Sequence, residues 1–482
     1  NQWKLLPGTE HFSGTLSGSV ENGLLTASMK QAKMPYETVF RAPLEIADGQ
    51  ATISWLNNDK GFQLDGRNID VKAKAVHARG GFRYLQPAND EPWLGILAGI
   101  STDDGSQAWR YFPENLMGKD LVDYLSGAIQ GGVADNATLV YGGNPQLFPY
   151  KHNEGQFEVL VPLRNAKFAF QPDWPALTNL DIELDFINDG LWMKTDGVNL
   201  GGVRASNLTA VIPDYSKEKL LIDADIKGPG KAVGPYFDET PLKDSLGATL
   251  QELQLDGDVN ARLHLDIPLN GELVTAKGEV TLRNNSLFIK PLDSTLKNLS
   301  GKFSFINGDL QSEPLTASWF NQPLNVDFST KEGAKAYQVA VNLNGNWQPA
   351  KTGVLPAAVN EALSGSVAWD GKAGIDLPYH AGATYNVELN GDLKNVSSHL
   401  PSPLAKPAGE PLAVNVKVDG NLNSFELTGQ AGADNHFNSR WLLGQKLTLD
   451  RAIWAADSKT LPQLPEQSGV ELNMPPMNGA EW

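Results

Sequence analysis

Apolar and polar side chains alternate with a period of two along much of this chain, in short runs broken by Gly, Asp, Asn and Pro. The stretch LDIELDFINDGL from Leu180 is the plainest case, and GKFSFINGDL from Gly301 repeats its core. Further runs carry Phe157, Val159 and Val161; Leu220, Ile222, Ala224 and Ile226; Leu263, Leu265 and Ile267; Tyr337, Val339, Val341 and Leu343; Tyr385, Val387 and Leu389; and Leu412, Val414, Val416 and Val418. Successive strand residues point to opposite faces, so each run predicts a strand with one apolar and one wet side. Leu160, Leu221, Ala340 and Ala413 interrupt the polar side. One-sided strands belong to antiparallel sheets with a single buried face. The segments VDG, LDGD, WDGK and LNGD offer the residues hairpin turns need, and about 25 strands are expected.

Helical periodicity surfaces in three places: YFPENLMGKDLVDYLSGAIQ from Tyr111, YFDETPLKDSLGATLQEL from Tyr236, and LPAAVNEALSG from Leu355. In the second, Thr240 is a good N-cap, Pro241 suits the first helical position, and Leu242, Leu246, Leu250 and Leu253 form one apolar stripe.

The pattern also repeats on a longer scale. LRNAKFAFQPDWPALTNLDIELDFINDGL from Leu163 aligns without a gap on LRNNSLFIKPLDSTLKNLSGKFSFINGDL from Leu282, matching Arg164, Asn165, Asn179, Phe186 and Asn188 to Arg283, Asn284, Asn298, Phe305 and Asn307. A weaker copy sets Trp55, Leu56 and Asn57 in the place of Phe186, Ile187 and Asn188. A unit of about 120 residues that recurs is the mark of stacked supersecondary modules. The expected division is 1–162 with a helix near 111–130, 163–281 with a helix near 240–253, 282–400 with a short helix near 355–363, and a partial unit over 401–482.

Composition narrows the classes. With 482 residues, 41% hydrophobic and 20% charged, and with 47 Gly and 30 Pro, the chain is globular and turn-rich. The net charge of -17 repels nucleic acid. The absence of Cys removes disulfides, thiolate metal sites and Cys nucleophiles. No apolar run is long enough to span a bilayer, and the start, NQWKLLPGTE, lacks the charged and apolar regions of a signal peptide. Because the pattern opens mid-stream, the expectation is a piece of something longer, with any anchors outside it.

Chemistry is sparse. The seven His include no pair at ligand spacing. DGDVNA from Asp256 starts like a calcium loop with Asp256, Asp258 and Asn260, but Ala261 and Ile267 stand where Gly and a bidentate Glu are required. Asp181, Glu183 and Asp185 share the outer face of a strand, where solvated surface is the default, and His264 reads as a surface histidine. No catalytic, cofactor or metal site is expected. The 12 Trp leave a glycosidase open as a lesser reading, and the pattern alone favours a structural rod with closed sandwich cores over an open apolar groove for acyl chains.

From LVPLRNAKFAFQPDWPALTNLDIELDFINDGL through VIPDY, LLIDADIKG, YFDETPLKDSLG and LHLDIPLNGELVTAKGEVTLRNNSLFIKPL, the chain resembles the AsmA-like family of bacterial envelope proteins. The resemblance implies an all-β fold with short helices, an elongated repeating β-groove of antiparallel strands with an apolar inner face. It also implies a non-enzymatic periplasmic bridge of a Gram-negative bacterium that carries phospholipids, reaching the inner and outer membranes through segments outside this chain. The groove lining expected on this plan is Trp55, Phe168, Phe170, Ile182, Leu184, Phe186, Ile222, Leu265, Ile267, Leu287, Ile289, Phe303, Phe305, Val339, Val341, Val387, Val414 and Val416.

Overall fold

A computed structural model describes residues 10–476 except 37–38, 242, 244–246, 271, 291–292, 354 and 445–446. The chain divides into two units, Asn1–Leu200 with Arg204–Ile226 and Arg262–Ala276, and Gly201–Val203 with Lys227–Ala261 and Lys277–Trp482. Among the described residues are twenty-nine strands and a few short helices, so the fold is all-β with helical insertions.

In the first unit β1 (Phe12–Gly18), β2 (Asn22–Met34), β3 (Leu44–Asn58), β4 (Gly61–Ala73), β5 (Val76–Pro87), β6 (Trp93–Thr102), β7 (Ile129–Gly143), β8 (Gln156–Phe168), β9 (Leu177–Ile187) and β10 (Gly190–Leu200) each pair antiparallel with the next. β11 (Val203–Ile212) and β12 (Lys219–Pro229) follow. The long link from β6 to β7 holds a 3₁₀ turn (Gly105–Tyr111), α1 (Glu114–Met117) and α2 (Lys119–Ala128). The predicted helix near 111–130 is therefore two helices, broken at Gly118, whose φ of 81° takes the chain out of the helical region.

Next come α3 (Val233–Phe237), α4 (Ala248–Glu252), β13 (Leu253–Asp256) and β14 (Asp258–Pro268). Of the helix expected near 240–253, Lys243 and Gly247 are helical and lead into α4, and Leu253 opens a strand; 242 and 244–246, Leu242 and Leu246 among them, lie outside the described residues. The second unit continues with β15 (Thr275–Ile289), β16 (Ser294–Ile306), β17 (Asp309–Ser312), β18 (Leu315–Trp319), β19 (Gln322–Glu332), β20 (Ala336–Trp347), α5 (Ala357–Ala362), β21 (Leu363–Gly365), β22 (Val367–Pro378), β23 (Thr384–Asp392), β24 (Val396–Ser398), β25 (Ala413–Asn421), β26 (Ser424–Ala431), β27 (Asn435–Leu442), β28 (Thr448–Ala455) and β29 (Gly469–Asn473). From β19 an antiparallel ladder runs through β20, β22, β23, β25, β26, β27 and β28, and β29 joins it in parallel.

The matched asparagines of the sequence repeat share a backbone state. Asn165, Asn179 and Asn188 have φ of 50°, 52° and 52°, and Asn284, Asn298 and Asn307 have 55°, 54° and 53°. Asparagine tolerates this left-handed region better than most residues, and four of the six sit at bulges where the strand register shifts by a residue. The bulges are capped alike: Asn165 N donates to Asp181 Oδ1 at 3.1 Å and Asn284 N to Ser300 Oγ at 2.9 Å, and Asp181 aligns on Ser300 in the repeat.

Three predicted turns are strand interior instead. Gly371 of WDGK, Gly391 of LNGD and Gly420 of VDG lie within β22, β23 and β25. Their missing side chains make room for neighbours: a Cβ on Gly371 would meet Leu389 Cδ2 at 2.4 Å, and one on Gly420 would meet Tyr385 Cζ at 2.6 Å. LDGD makes a bend at Gly257, φ 92°, between β13 and β14, but no hairpin, because β13 pairs with β15 and β14 with β12.

Candidate functional site

Antiparallel registry converts the period-two pattern into rows that cross the strands. In the second unit one inward row runs Val326, Leu343, Gly371, Leu389, Val416, Gly429, Phe437 and Trp454 across β19 to β28. The adjacent inward row runs Phe328, Val341, Ala373, Val387, Val418, Leu427, Ser439 and Ala452 on the same eight strands. Between them on the other face stands Asp327, Asn342, Lys372, Glu388, Lys417 and Thr428. These outward side chains bond to one another, as in Asn342 Nδ2 to Asp327 Oδ1 at 2.7 Å and Lys417 Nζ to Glu388 Oε1 at 3.6 Å. The inward rows are apolar yet mostly only half-buried: of the sixteen residues, Val326, Gly371 and Gly429 are buried, Ser439 is a buried polar exception, and the rest retain solvent contact. Apolar faces of this extent that stay partly wet are uncommon on soluble proteins and usually mark places where something binds.

The first unit shows the open face and a closed counterpart together. Ile53, Gly66, Phe82, Ile96, Tyr141 and Phe157 form an inward row across β3 to β8, and all but Gly66 are half-buried. Toward the other end of the strands the inner face is sealed by α2, whose Leu121, Val122 and Leu125 are 0% exposed. They pack with Leu163, Ala166, Phe168, Leu180, Ile182 and Leu184, and Phe112 meets Phe186 with ring centroids 6.3 Å apart. Ion pairs tie the insertion to the connection between β2 and β3, where Arg41 bonds Glu114 and reaches Asp123 at 2.5 Å, and a hydrogen bond from Tyr111 Oη to Lys74 O at 2.6 Å ties it to the turn between β4 and β5.

The residues expected to line a groove separate along this division. Phe168, Ile182, Leu184, Ile222 and Ile267 are fully buried in the core under α2, and Phe170, Phe186 and Leu265 pack against it half-buried. Leu287, Phe303 and Phe305 border a second core built on Val280, Leu282, Leu299 and Leu315. Ile289 is half-buried opposite Leu253. Val341, Val387, Val414 and Val416 stand half-buried on the inner face, and Val339 beside them is buried. Trp55 leans over Gly23 at the end of an inner row and donates Nε1–H to Ser19 O at 3.0 Å. Sequence reasoning missed Phe82, Ile96, Tyr141, Leu427, Phe437 and Trp454, which the same period-two reading, extended through β4 to β7 and β26 to β28, would have reached.

Polar groups gather on the outer face. A cleft of about 330 Å³ is lined by Pro162, Arg164, Asp181, Glu183, Lys194 and Asp196. His264 stands on the wet side as expected, with Nδ1 2.8 Å from Asp223 Oδ1. Asp65 is held below the usual carboxylate range: burial opposes this, but Arg83 Nε at 2.6 Å and Gln63 Nε2 at 2.6 Å outweigh it. Asp185 departs from the expected solvated trio. Its Oδ1 is buried without a hydrogen-bond partner, and burial, then Glu158 and Glu183, push its carboxyl up. Among the described residues no three His, Asp or Glu side chains gather as a metal site, and no helix is long and apolar enough to cross a membrane.

An antiparallel sheet face that is apolar, open over part of its extent and covered by a helix over another part, defines a protein that presents an extended apolar surface. The chain belongs to the YhdP family, whose model, described as YhdP protein, matches residues 1–482. It is 98% identical over 481 residues to the intermembrane phospholipid transporter YhdP of Escherichia coli (strain K12), an alignment covering 100% of this chain and 38% of that protein. The chain thus spans 38% of the length of the curated relative it matches. No solved structure matches the chain.

Proposed function

We propose that this chain is a carrier segment of an intermembrane phospholipid transporter, holding acyl chains on its inner apolar faces while head groups remain in water. The observation that supports this most is the pair of apolar rows crossing eight strands, half-buried, with polar rows alternating on the opposite face. Covering each methylene of a tail contributes about 0.8 kcal/mol, and neighbouring positions on such rows are nearly equal in energy, so a lipid is held without being fixed. The lipid is cargo, and no reaction is needed. On this reading the segment works in the periplasm, and parts of the protein outside it contact the inner and outer membranes.

The test is photo-crosslinking from p-benzoylphenylalanine placed at Val387 or Val416, on the inner face, and at Glu388 or Lys417, on the outer. Phospholipid adducts at the inner pair and not at the outer pair are expected. The sealed core under α2 favours a second reading, a structural rod. Adducts at neither pair, with the variants folded, would establish the rod.

A further inference from the structure

The outer face of the first unit carries a patch that lipid carriage leaves unused. Leu97 on β6 is 62% exposed and Trp192 on β10 is 39% exposed, on a face that also carries Trp93, Val140 and Ile187 among its polar residues. Between them registry sets Leu160 on β8 opposite Asp185 on β9, and Asp185 opposite Trp192. The indole of Trp192 lies along its strand over Gly190, where a Cβ would meet it at 2.6 Å. A ring lying so, still exposed, offers a face to a ligand.

Within this apolar surround sits an uncompensated negative charge. Asp185 Oδ1 is buried and unpartnered, with Glu158 and Glu183 close enough to act on it. Lys194 stands opposite Glu183, and Glu158 takes one hydrogen bond from Gln156 Nε2 at 2.6 Å, so the deficit centres on Asp185. A buried carboxylate oxygen with no donor is costly, and a cation held against the accessible side of the carboxylate offsets that cost by neutralising its charge. The same cation would lie against the Trp192 ring, whose face attracts positive charge.

We propose that this outer patch docks a protein segment presenting a lysine or arginine side chain flanked by apolar residues, the cation meeting Asp185 and Glu158 against Trp192 and the flanks covering Leu97 and Leu160. Charge complementarity selects this occupant. A phospholipid ammonium would bring its phosphate among three carboxylates, and nucleic acid would bring only negative charge to a chain of net charge -17.

The test uses the intact chain and two fluorescein-labelled peptides, Gly-Leu-Leu-Lys-Leu-Leu-Gly and its twin with norleucine for lysine, followed by anisotropy. Any binding to the inner apolar face is common to both peptides, so the ratio of their affinities reports the outer site and does not depend on the lipid reading. The lysine peptide is expected to bind at least tenfold tighter than its twin. Asp185→Asn and, separately, Glu158→Gln are each expected to cut that preference at least threefold, and Leu97→Ser to weaken both peptides. Equal binding of the two peptides to the native chain, or a preference unchanged in both carboxylate variants, would overturn the proposal. Vesicles of an ethanolamine phospholipid that bind the native chain and not Asp185→Asn would overturn it in favour of a membrane contact.

Discussion

Single residues carry opposite electrostatic signs on the outer face. Asp65, paired with Arg83, has its carboxyl lowered, so its contribution is present above the ordinary aspartate range and is lost as pH falls. Asp185 has its carboxyl raised above the ordinary 3.8, so the folded state binds its proton more tightly than the unfolded chain does. The stability tied to that proton is fully present below 3.8 and is lost as pH rises through the raised value. Asp185→Asn, which is neutral at every pH, should therefore melt higher than the native chain at pH 7. The gain should shrink to nothing near pH 3, where both side chains are uncharged. Melting curves at the two pH values check this, and a variant that melts lower at pH 7 would mean that Asp185 already has a cationic partner in the folded chain.

At the scale of elements the sequence was informative where the physics is local. Side chains alternate by geometry, so β8, β9, β12, β14, β20, β23 and β25 were legible from period two, and the paired asparagines from the repeat, although not their left-handed backbone. What escaped depends on neighbours across strands. Asp-Gly and Asn-Gly read as turns, yet Gly371 and Gly420 are flat places beneath Leu389 and Tyr385, a role set by registry and invisible in one strand. The closing of one part of the inner face by α2 likewise depends on where a distant insertion packs, which is why Phe168 and Val387 looked alike in sequence and differ in the fold. That difference has an energetic signature. Leu125→Ala, in a fully buried site, should cost about 2–5 kcal/mol, the range for large-to-small changes in sealed cores. Val387→Ala on the half-buried face removes less buried area and should cost about 1 kcal/mol or less. Urea unfolding midpoints with unchanged slope measure both. Equal losses would mean that the inner face at β23 is as closed as the core under α2, and the lipid reading would fail with it.

The charge belongs to the whole chain rather than to any site, and on the proposed lipid-carrying role it bears on which head groups the inner faces would accept. With a net charge of -17, the chain repels an anionic head group held at the edge of an apolar row more than a zwitterionic one with the same tails. Tail burial is indifferent to salt, whereas this repulsion is screened over about 30 Å at 0.01 M ionic strength and about 3 Å at 1 M. Equilibrated with vesicles containing equal amounts of the two lipids, the chain should retain mostly the zwitterionic lipid at 0.01 M salt. The retained ratio should approach one at 1 M, read by mass spectrometry of extracted lipid. Total lipid retained should hardly change, because the apolar rows do the holding. A ratio independent of salt would place the head groups beyond the reach of the chain's charge, and a total that falls with salt would mean that head-group pairing, not the apolar face, retains the lipid.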